Sequence, residues 1–250
     1  MTPDLRPTLL RRASAELVGT ALLVAAVVGS GIAATRLSPG DVGLQLLENS
    51  IATSLALGAL ILIFGPVSGA HFNPVVSIAD SWLGRRTGSG LPLRDLGAYL
   101  VAQVLGAAAG TVLAHLMFGL PAITWSQRDR TGAGRWLGEI VATAGLLLLI
   151  AALSHARRQV AAPAAIAGWI GAAYWFTSST AFANPAVTIG RTLTDTFAGI
   201  APTSSIGFIA AQLVATGLAL AAIAWWYPAA APARGALAAT APARPEQAPV

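Results

Sequence analysis

The sequence contains no cysteine and no lysine, and it carries little charge of either sign. The absence of cysteine among 250 residues excludes disulfide bonds and thiolate-bound metals. Charged residues make up 10% of the chain, whereas a soluble domain has about 25%. Hydrophobic residues reach 55%, and the mean hydropathy is +0.68. These proportions indicate an integral membrane protein whose length suits roughly six spans with short loops.

Because lysine is absent, every basic residue is an arginine, and the arginines are scattered over loops and termini without interleaved aromatic residues. This scatter indicates membrane topology rather than a nucleic-acid site. An N-terminus on the inside puts ten arginines inside and five outside. We therefore expect a multi-pass protein of the inner or plasma membrane with both termini cytoplasmic. The inside set is Arg6, Arg11, Arg12, Arg85, Arg86, Arg94, Arg157, Arg158, Arg234 and Arg244; the outside set is Arg36, Arg128, Arg130, Arg135 and Arg191.

Six apolar segments have lengths close to the roughly 20 residues that a spanning helix needs. Two further stretches, 73–83 and 184–194, are too short to cross. About 11 residues rise only about 16 Å, which is half the thickness of the hydrocarbon core. The six long segments lie at about 14–34, 49–66, 95–118, 136–154, 160–178 and 204–227.

Both short stretches begin at an Asn-Pro pair, in Asn73-Pro74-Val75 and in Asn184-Pro185-Ala186. Asparagine caps helix N-termini well, and proline at the first helical position loses no hydrogen bond. The stretches therefore predict two half-helices that begin near the middle of the membrane. Backbone exposed at that depth is tolerated only beside protein or a water-filled cavity.

The two halves of the chain repeat one another, over about 14–118 and 136–227. The segment around Glu16 matches the segment around Glu139, in addition to the Asn-Pro pairs. Each repeat holds three spans, so the second repeat must be inverted in the membrane. The half-helices then enter from opposite faces and meet at their N-termini. The predicted fold is an all-α membrane protein with six transmembrane helices and two half-helices in an inverted repeat.

The composition also predicts the domain organisation. We expect a cytoplasmic N-terminal segment at 1–13 and one channel domain at 14–227. Residues 228–250 are Ala, Pro and a few polar residues, which predicts a disordered C-terminal tail.

Two half-helix N-termini that face each other focus two positive dipole ends on one point. The amides of Asn73 and Asn184 can donate there to the oxygen of water or of a hydroxyl compound, while a cation is repelled. The simpler alternative is that each asparagine is only a helix cap. We favour the pore interpretation because the pair occurs twice in repeat-related positions.

Three titratable side chains lie in or beside this apolar sequence. Glu16 and Glu139 are costly in a membrane span. They are either proton or ion carriers, or buried acceptors for loop amides near the half-helices, and their symmetry favours the structural role. His71 either lines the cytoplasmic pore mouth or holds its loop by hydrogen bonds. His115 and His155, near helix ends, are expected at the membrane interface, and the dispersed histidines predict no metal site.

A GxxxG motif, Gly106 to Gly110, lies within an apolar helix. Such a motif permits close helix contact, and we expect that contact to be intramolecular rather than a dimer face.

These features together resemble the aquaporin and aquaglyceroporin, or major intrinsic protein, family over about residues 14–227. The resemblance is carried by the segments at Glu16 and Glu139, by Ala102-Gln103, by Ser68-Gly69-Ala70-His71-Phe72-Asn73-Pro74 and by Asn184-Pro185-Ala186. It implies six spans, a homotetramer in the lipid bilayer with one pore in each subunit, and passive conduction of water or small neutral solutes. It implies no cofactor and no enzyme activity.

One position departs from the family pattern. Members typically carry arginine three residues after the second asparagine, and here that residue is Val187. The resemblance places the other constriction positions at Thr53, Ala172 and Ala181. This set is small and uncharged, so it implies a wide, rather apolar aperture unless Arg191, one turn further along, partly substitutes.

The motif Asn-Pro-Ala-Val-Thr also resembles the bacterial branch of the family that is associated with arsenic resistance. That branch implies passage of neutral metalloid species such as arsenite or methylarsenicals. The alternatives are a secondary transporter with broken helices at an inverted repeat, which would need a substrate-coupled ion site, and a non-conducting adhesion or junction protein. An enzyme is not expected, because the sequence shows no nucleophile–base pair or metal set.

Overall fold

The computed structural model describes residues 7–87 and 90–227, of which the side chains of residues 86 and 87 are left undescribed. In those ranges the regular structure is helical, without strands. The predicted N-terminal segment at 1–13 lies partly, and the predicted tail at 228–250 wholly, outside the described residues. The helices are α1 (Leu9–Leu37), α2 (Val42–Ser68), α3 (Pro74–Thr87), α4 (Leu93–Met117), α5 (Ala133–His155), α6 (Ala162–Phe176), α7 (Pro185–Gly190) and α8 (Pro202–Trp226).

The helix pattern confirms the predicted fold class. Among the described residues, five helices are long and apolar enough to cross a membrane: α1, α2, α4, α5 and α8. The sixth, α6, has 15 residues and is extended at its start by a 3₁₀ turn, Gln159–Ala161. It ends two residues before the predicted boundary, because Thr177 is already in an extended conformation that leads into the next loop.

The half-helices begin where the Asn-Pro pairs predict and differ in length. The first, α3, continues to Thr87, beyond the predicted end at 83. The second, α7, has 6 residues and continues only through a 3₁₀ turn, Arg191–Leu193. The chain then turns back, and the amide of Ile200 donates to the carbonyl of Arg191 at 3.2 Å.

Helix packing follows the inverted repeat. In the first repeat α1 packs on α4 and α2, and in the second α5 packs on α8 and α6. Each half-helix also packs on the last helix of the opposite repeat, since α3 contacts α8 and α7 contacts α4. The repeats therefore interlock around the two half-helices.

Gly106 and Gly110 hold α1 against α4. A Cβ on Gly106 would collide with the carbonyl oxygen of Leu17, and a Cβ on Gly110 with that of Ala21. The expectation that this GxxxG motif packs within the chain is confirmed by these contacts.

His115 lies in the last turn of α4, near a helix end as the sequence predicts, but it is buried inside the protein. His115 is 1% exposed at the end of α4. Its Nδ1 lies 2.6 Å from the carbonyl oxygen of Pro121, and its Nε2 lies 2.6 Å from Oγ1 of Thr194. The loops after α4 and after α7 fold over this end of the bundle and bury the ring.

We predict that Gly110→Ala destabilises the protein, because the new methyl group meets backbone that cannot rotate away. Overpacking of this kind costs typically about 1–3 kcal/mol. The measurement is the midpoint of thermal unfolding of the detergent-solubilised protein.

Gly97→Ala in the same helix is the matched control, since a Cβ there meets nothing within 4 Å. It should leave the midpoint unchanged or raise it, because alanine favours a helix over glycine by about 1 kcal/mol. Equal midpoints for the two variants would contradict the close packing of α1 on α4.

Candidate pore at the junction of two half-helices

The two asparagines tie the starts of the half-helices together. Asn73 Nδ2 donates to the carbonyl oxygen of Ala183 at 2.8 Å, and Asn184 Nδ2 donates to that of Phe72 at 2.8 Å. Their Oδ1 atoms cap their own helices, accepting from the amide of Val75 at 3.1 Å and from the amide of Ala186 at 2.9 Å. Each asparagine is thus both a cap and a bridge to the other repeat.

The loops that lead into the half-helices share an unusual backbone. Ala70 and Phe72 have φ of 52° and 51°, and the repeat-related Ala181 and Ala183 have 45° and 48°. Residues other than glycine rarely adopt the left-handed region, which costs of order 1–3 kcal/mol each. Surrounding contacts must therefore hold both loops in place.

One buried carboxylate, that of Glu16, provides those contacts in the first repeat. Glu16 is fully buried and accepts the amides of His71 at 2.9 Å and Phe72 at 2.6 Å. It also accepts the hydroxyl of Ser68 at 2.6 Å and the amide of Gln103 at 2.8 Å. Four donors thus converge on one carboxylate.

The second repeat is built in the same way. Glu139 is fully buried and accepts the amides of Phe182 and Ala183, each at 2.8 Å. Gln212 donates to it at 2.6 Å and also reaches the hydroxyl of Thr188, in the half-helix, at 3.0 Å. Gln103 makes the equivalent link to Ser77 at 2.9 Å.

A cavity of about 70 Å³ passes the junction. A buried water needs roughly 10–15 Å³, so the space suits a short file of waters. Its polar lining consists of a few side chains among many aliphatic ones. The polar members are Thr53, His71, Asn73, Tyr174, Asn184 and Arg191.

A larger cavity of about 940 Å³ adjoins this one. The two share part of their lining, including His71 and Val76, so they lie next to each other. His71 lines both cavities. Its Nδ1 is 3.0 Å from Oγ of Ser77, and its Nε2 is 3.7 Å from Oδ2 of Asp80. The histidine both lines the path and fixes its own loop, which joins the two alternatives considered for it.

The structure brings three of the four predicted constriction residues to the cavity and leaves out the fourth. Thr53, Ala181 and Val187 line it, whereas Ala172 is exposed on the far side of α6. Tyr174 occupies the place expected for Ala172, and its hydroxyl donates to Oγ1 of Thr53 at 3.3 Å. Tyr174 is two residues further along α6 than Ala172.

A signal for Tyr174 was present in the sequence. Ile166, Ile170 and Tyr174 recur every four residues and therefore share one helix face, which is the face that lines the cavity. Tyr174 is larger and more polar than alanine, so the path is less open and less apolar than predicted at this level.

Sequence reasoning raised Arg191 only as an alternative, and the structure places it in the cavity lining. The side chain is 2% exposed, its Nε donates to the carbonyl oxygen of Ala198, and Cζ lies 3.4 Å from the ring centroid of Phe182. Phe182 itself was not singled out, because its ring becomes significant only through this contact.

A second arginine approaches the same ring from the loop between α4 and α5. Cζ of Arg130 is 5.3 Å from the Phe182 centroid, and its guanidinium donates to the carbonyl oxygens of Gly199 and Phe197 at 2.8 and 3.2 Å. Burial lowers the pKa of Arg130 to about 10, with a smaller contribution from Arg128. Arg130 therefore remains a cation at neutral pH.

We predict that Glu139→Leu lowers both stability and solute flux, because the amides of Phe182 and Ala183 lose their acceptor. Each unpaired buried amide costs about 1–3 kcal/mol. Glu139→Gln keeps one acceptor oxygen and should fall between Leu and wild type. Thermal unfolding and liposome permeability are the two measurements.

The symmetric pair Glu16→Leu and Glu16→Gln should behave in the same order. A Gln variant with the wild-type unfolding midpoint and no flux would contradict the structural role, since it would mean that the charge itself is needed for conduction.

Comparison with known proteins agrees with the geometry of the candidate pore. Residues 5–180 match the family model described as "Major intrinsic protein". Aquaglyceroporin AqpS of Rhizobium meliloti (strain 1021) is 51% identical over 217 residues, covering 87% of this chain and 90% of that protein. Aquaporin AqpM of Methanothermobacter thermautotrophicus is 31% identical over 183 residues, covering 65% and 72%.

A solved structure supports the fold independently. The X-ray structure of the aquaglyceroporin from Plasmodium falciparum superposes with a TM-score of 0.64, covering 88% of this chain and 96% of that chain at 23% identity.

Proposed function

Because the chain belongs to the major intrinsic protein family, a family of membrane channels rather than enzymes, we propose that it passes water, glycerol-like polyols and neutral metalloid species such as arsenite or methylarsenicals. The observation that carries this proposal is the cavity that Asn73 and Asn184 line where the two half-helices meet, with a larger cavity next to it. The chain is a multi-pass membrane protein and a channel for small solutes. The solute range is the part that we propose.

The asparagine amides provide the selectivity for neutral oxygen compounds. Each Nδ2 carries two N–H groups, and one of them donates to the carbonyl oxygen of the opposite loop. Both amides line the cavity, so the other N–H is available to a passing hydroxyl or water. The helix dipoles that meet at the same point oppose cations and do not oppose neutral molecules.

The small and hydroxyl-bearing side chains that line the cavity support polyols and similar solutes. Ala181 and Val187 are small at the outer level, while Thr53 and Tyr174 place two hydroxyls opposite them. Neutral metalloid hydroxides resemble polyols in presenting several hydroxyl groups on a compact molecule. The same set of donors and acceptors therefore suits both classes.

The transporter alternative finds less support. Coupling to an ion gradient needs an ion-binding site on the path, and the two acids inside the spans are the sequence's candidates for it. Glu16 and Glu139 are fully buried, are engaged by loop amides and do not line either cavity.

We also propose a homotetramer in the plasma membrane, with a channel domain at 14–227 and both termini cytoplasmic. The larger cavity is lined by Arg12, Arg157 and Tyr227, so the N-terminal helix, the end of α5 and the end of α8 lie at one face. One chain supplies the lining of both cavities, which supports one pore in each subunit.

The direct test is stopped-flow permeability of liposomes that contain the purified protein, with water, glycerol, neutral arsenite and methylarsenicals as solutes. We expect each permeability to exceed that of protein-free liposomes and to stay proportional to the solute gradient. Saturable uptake that depends on an ion gradient would favour a transporter instead.

We predict that Asn73→Ala and Asn184→Ala reduce flux of all neutral solutes while the protein still reaches the membrane. Each change removes a helix cap, at about 1 kcal/mol, as well as the bridging donor. Asn→Asp at either position is the informative partner, because it keeps the cap acceptor and removes the donor. Wild-type flux in both alanine variants would remove the pore assignment.

We predict that Val187→Arg reduces glycerol and arsenite permeability more than water permeability, because it adds a bulky cation with five donors. Val187→Leu adds volume without charge and is the matched control. Equal proportional losses for water and glycerol would place the constriction elsewhere.

A further inference from the structure

Val187, at the predicted outer constriction, is uncharged. The 3₁₀ turn that continues its half-helix nevertheless places the cation Arg191 in the lining of the same cavity. Arg191 lies four residues further along, about 6 Å along a helix axis. Helical side chains lean toward the N-terminus of their helix, so the long side chain of Arg191 can reach back toward Val187. Cζ lies against the ring of Phe182, two residues before Asn184, and Arg191 and Val187 line the same cavity.

The charge of Arg191 is not neutralised by a neighbour. In the described part of the chain no carboxylate lies within ion-pair distance of it, and its only side-chain hydrogen bond is from Nε to Ala198. Neither Nη group therefore has an acceptor among residues 7–87 and 90–227. Arg130, the other guanidinium beside Phe182, adds positive potential and offers no compensation.

We propose that Arg191 is a specificity-determining residue of this channel, the one that excludes cations and presents donors to solutes at the outer end of the path. A fixed unit charge in a narrow, poorly solvated passage repels cations strongly. The Phe182 ring and the Ala198 carbonyl hold the guanidinium in place, while the Nη groups face the cavity. This inference rests on the proposed channel function.

The position also explains how one pore combines width with exclusion. An arginine at 187 would obstruct the level at which Thr53 and Ala181 meet the path. An arginine that approaches from one turn further out, flat against an aromatic ring, leaves that level to smaller side chains and keeps the charge close to it. Solute size and cation exclusion are thus assigned to different residues, one in α7 and one in the 3₁₀ turn that follows it.

The test uses proteoliposomes loaded with a pH-sensitive dye, in which a potassium gradient with valinomycin drives proton entry. In Arg191→Gln, we expect proton leak to rise at least about ten-fold, because the Coulomb barrier loses a unit charge. Glycerol permeability should stay within about two-fold, since glutamine keeps a donor at that point. Arg191→Lys, which keeps the charge, should leak less than Arg191→Gln.

Arg128→Gln is the matched control, because it removes one charge from the exposed loop beside Arg130 and should leave leak unchanged. Unchanged leak in Arg191→Gln, with wild-type glycerol flux, would overturn the proposal and leave exclusion to the half-helix dipoles. If the wild-type protein itself conducts no glycerol, that result would instead contradict the proposed channel function, so the two failures are distinguishable.

Two further variants keep the test informative if Arg191→Gln misfolds. If Arg191→Gln is not recovered, Arg191→Met, whose long apolar chain can still cover Phe182, replaces it with the same expected leak. Val187→Arg added to either variant should restore low leak by returning the charge to the path. Wild-type protein should leak no more than protein-free liposomes, and a wild-type leak as fast as that of the neutral variants would also overturn the proposal.

Discussion

The architecture depends on hydrogen bonds between two buried carboxylates and the amides of two strained loops. Without Glu16 and Glu139, the left-handed backbone at Phe72 and Ala183 would carry unpaired amides at a depth where lipid offers no acceptor. With them, the loop carbonyls face across the junction and accept the amides of Asn73 and Asn184. The carboxylates thus stabilise the loops, the loops place the asparagines, and the asparagines form the junction.

Inversion of the repeat is what makes this device useful. A single half-helix would begin inside the membrane, and its first four backbone amides would have no acceptor. Two copies that meet head to head bridge each other through the asparagines and direct both dipole ends toward the same short cavity. Packing of α3 on α8 and of α7 on α4 then makes each repeat part of the wall of the other.

Most of the predictions that agree with the structure rest on local sequence signals. The errors concern residues whose surroundings are set by contacts with distant parts of the chain. The Asn-Pro caps, the span lengths and the acid at each repeat start depend on nearby sequence, and the structure places them as expected. Ala172 does not line the cavity because the four-residue period of α6 brings Tyr174 there instead. His115 and Arg191 could not be placed from sequence, since their surroundings come from loops far along the chain, at Pro121, Thr194 and Ala198.

The absence of cysteine gives the most direct test of where solutes pass. Single cysteines at Ala181 and at Ala172 can be labelled with a small water-soluble thiol reagent in an otherwise thiol-free channel, and water flux can be measured before and after labelling. We expect labelling at Ala181 to block flux and labelling at Ala172, on the outer face of α6, to leave it unchanged. Block at Ala172 with free passage at a fully labelled Ala181 would contradict a path between the two half-helices.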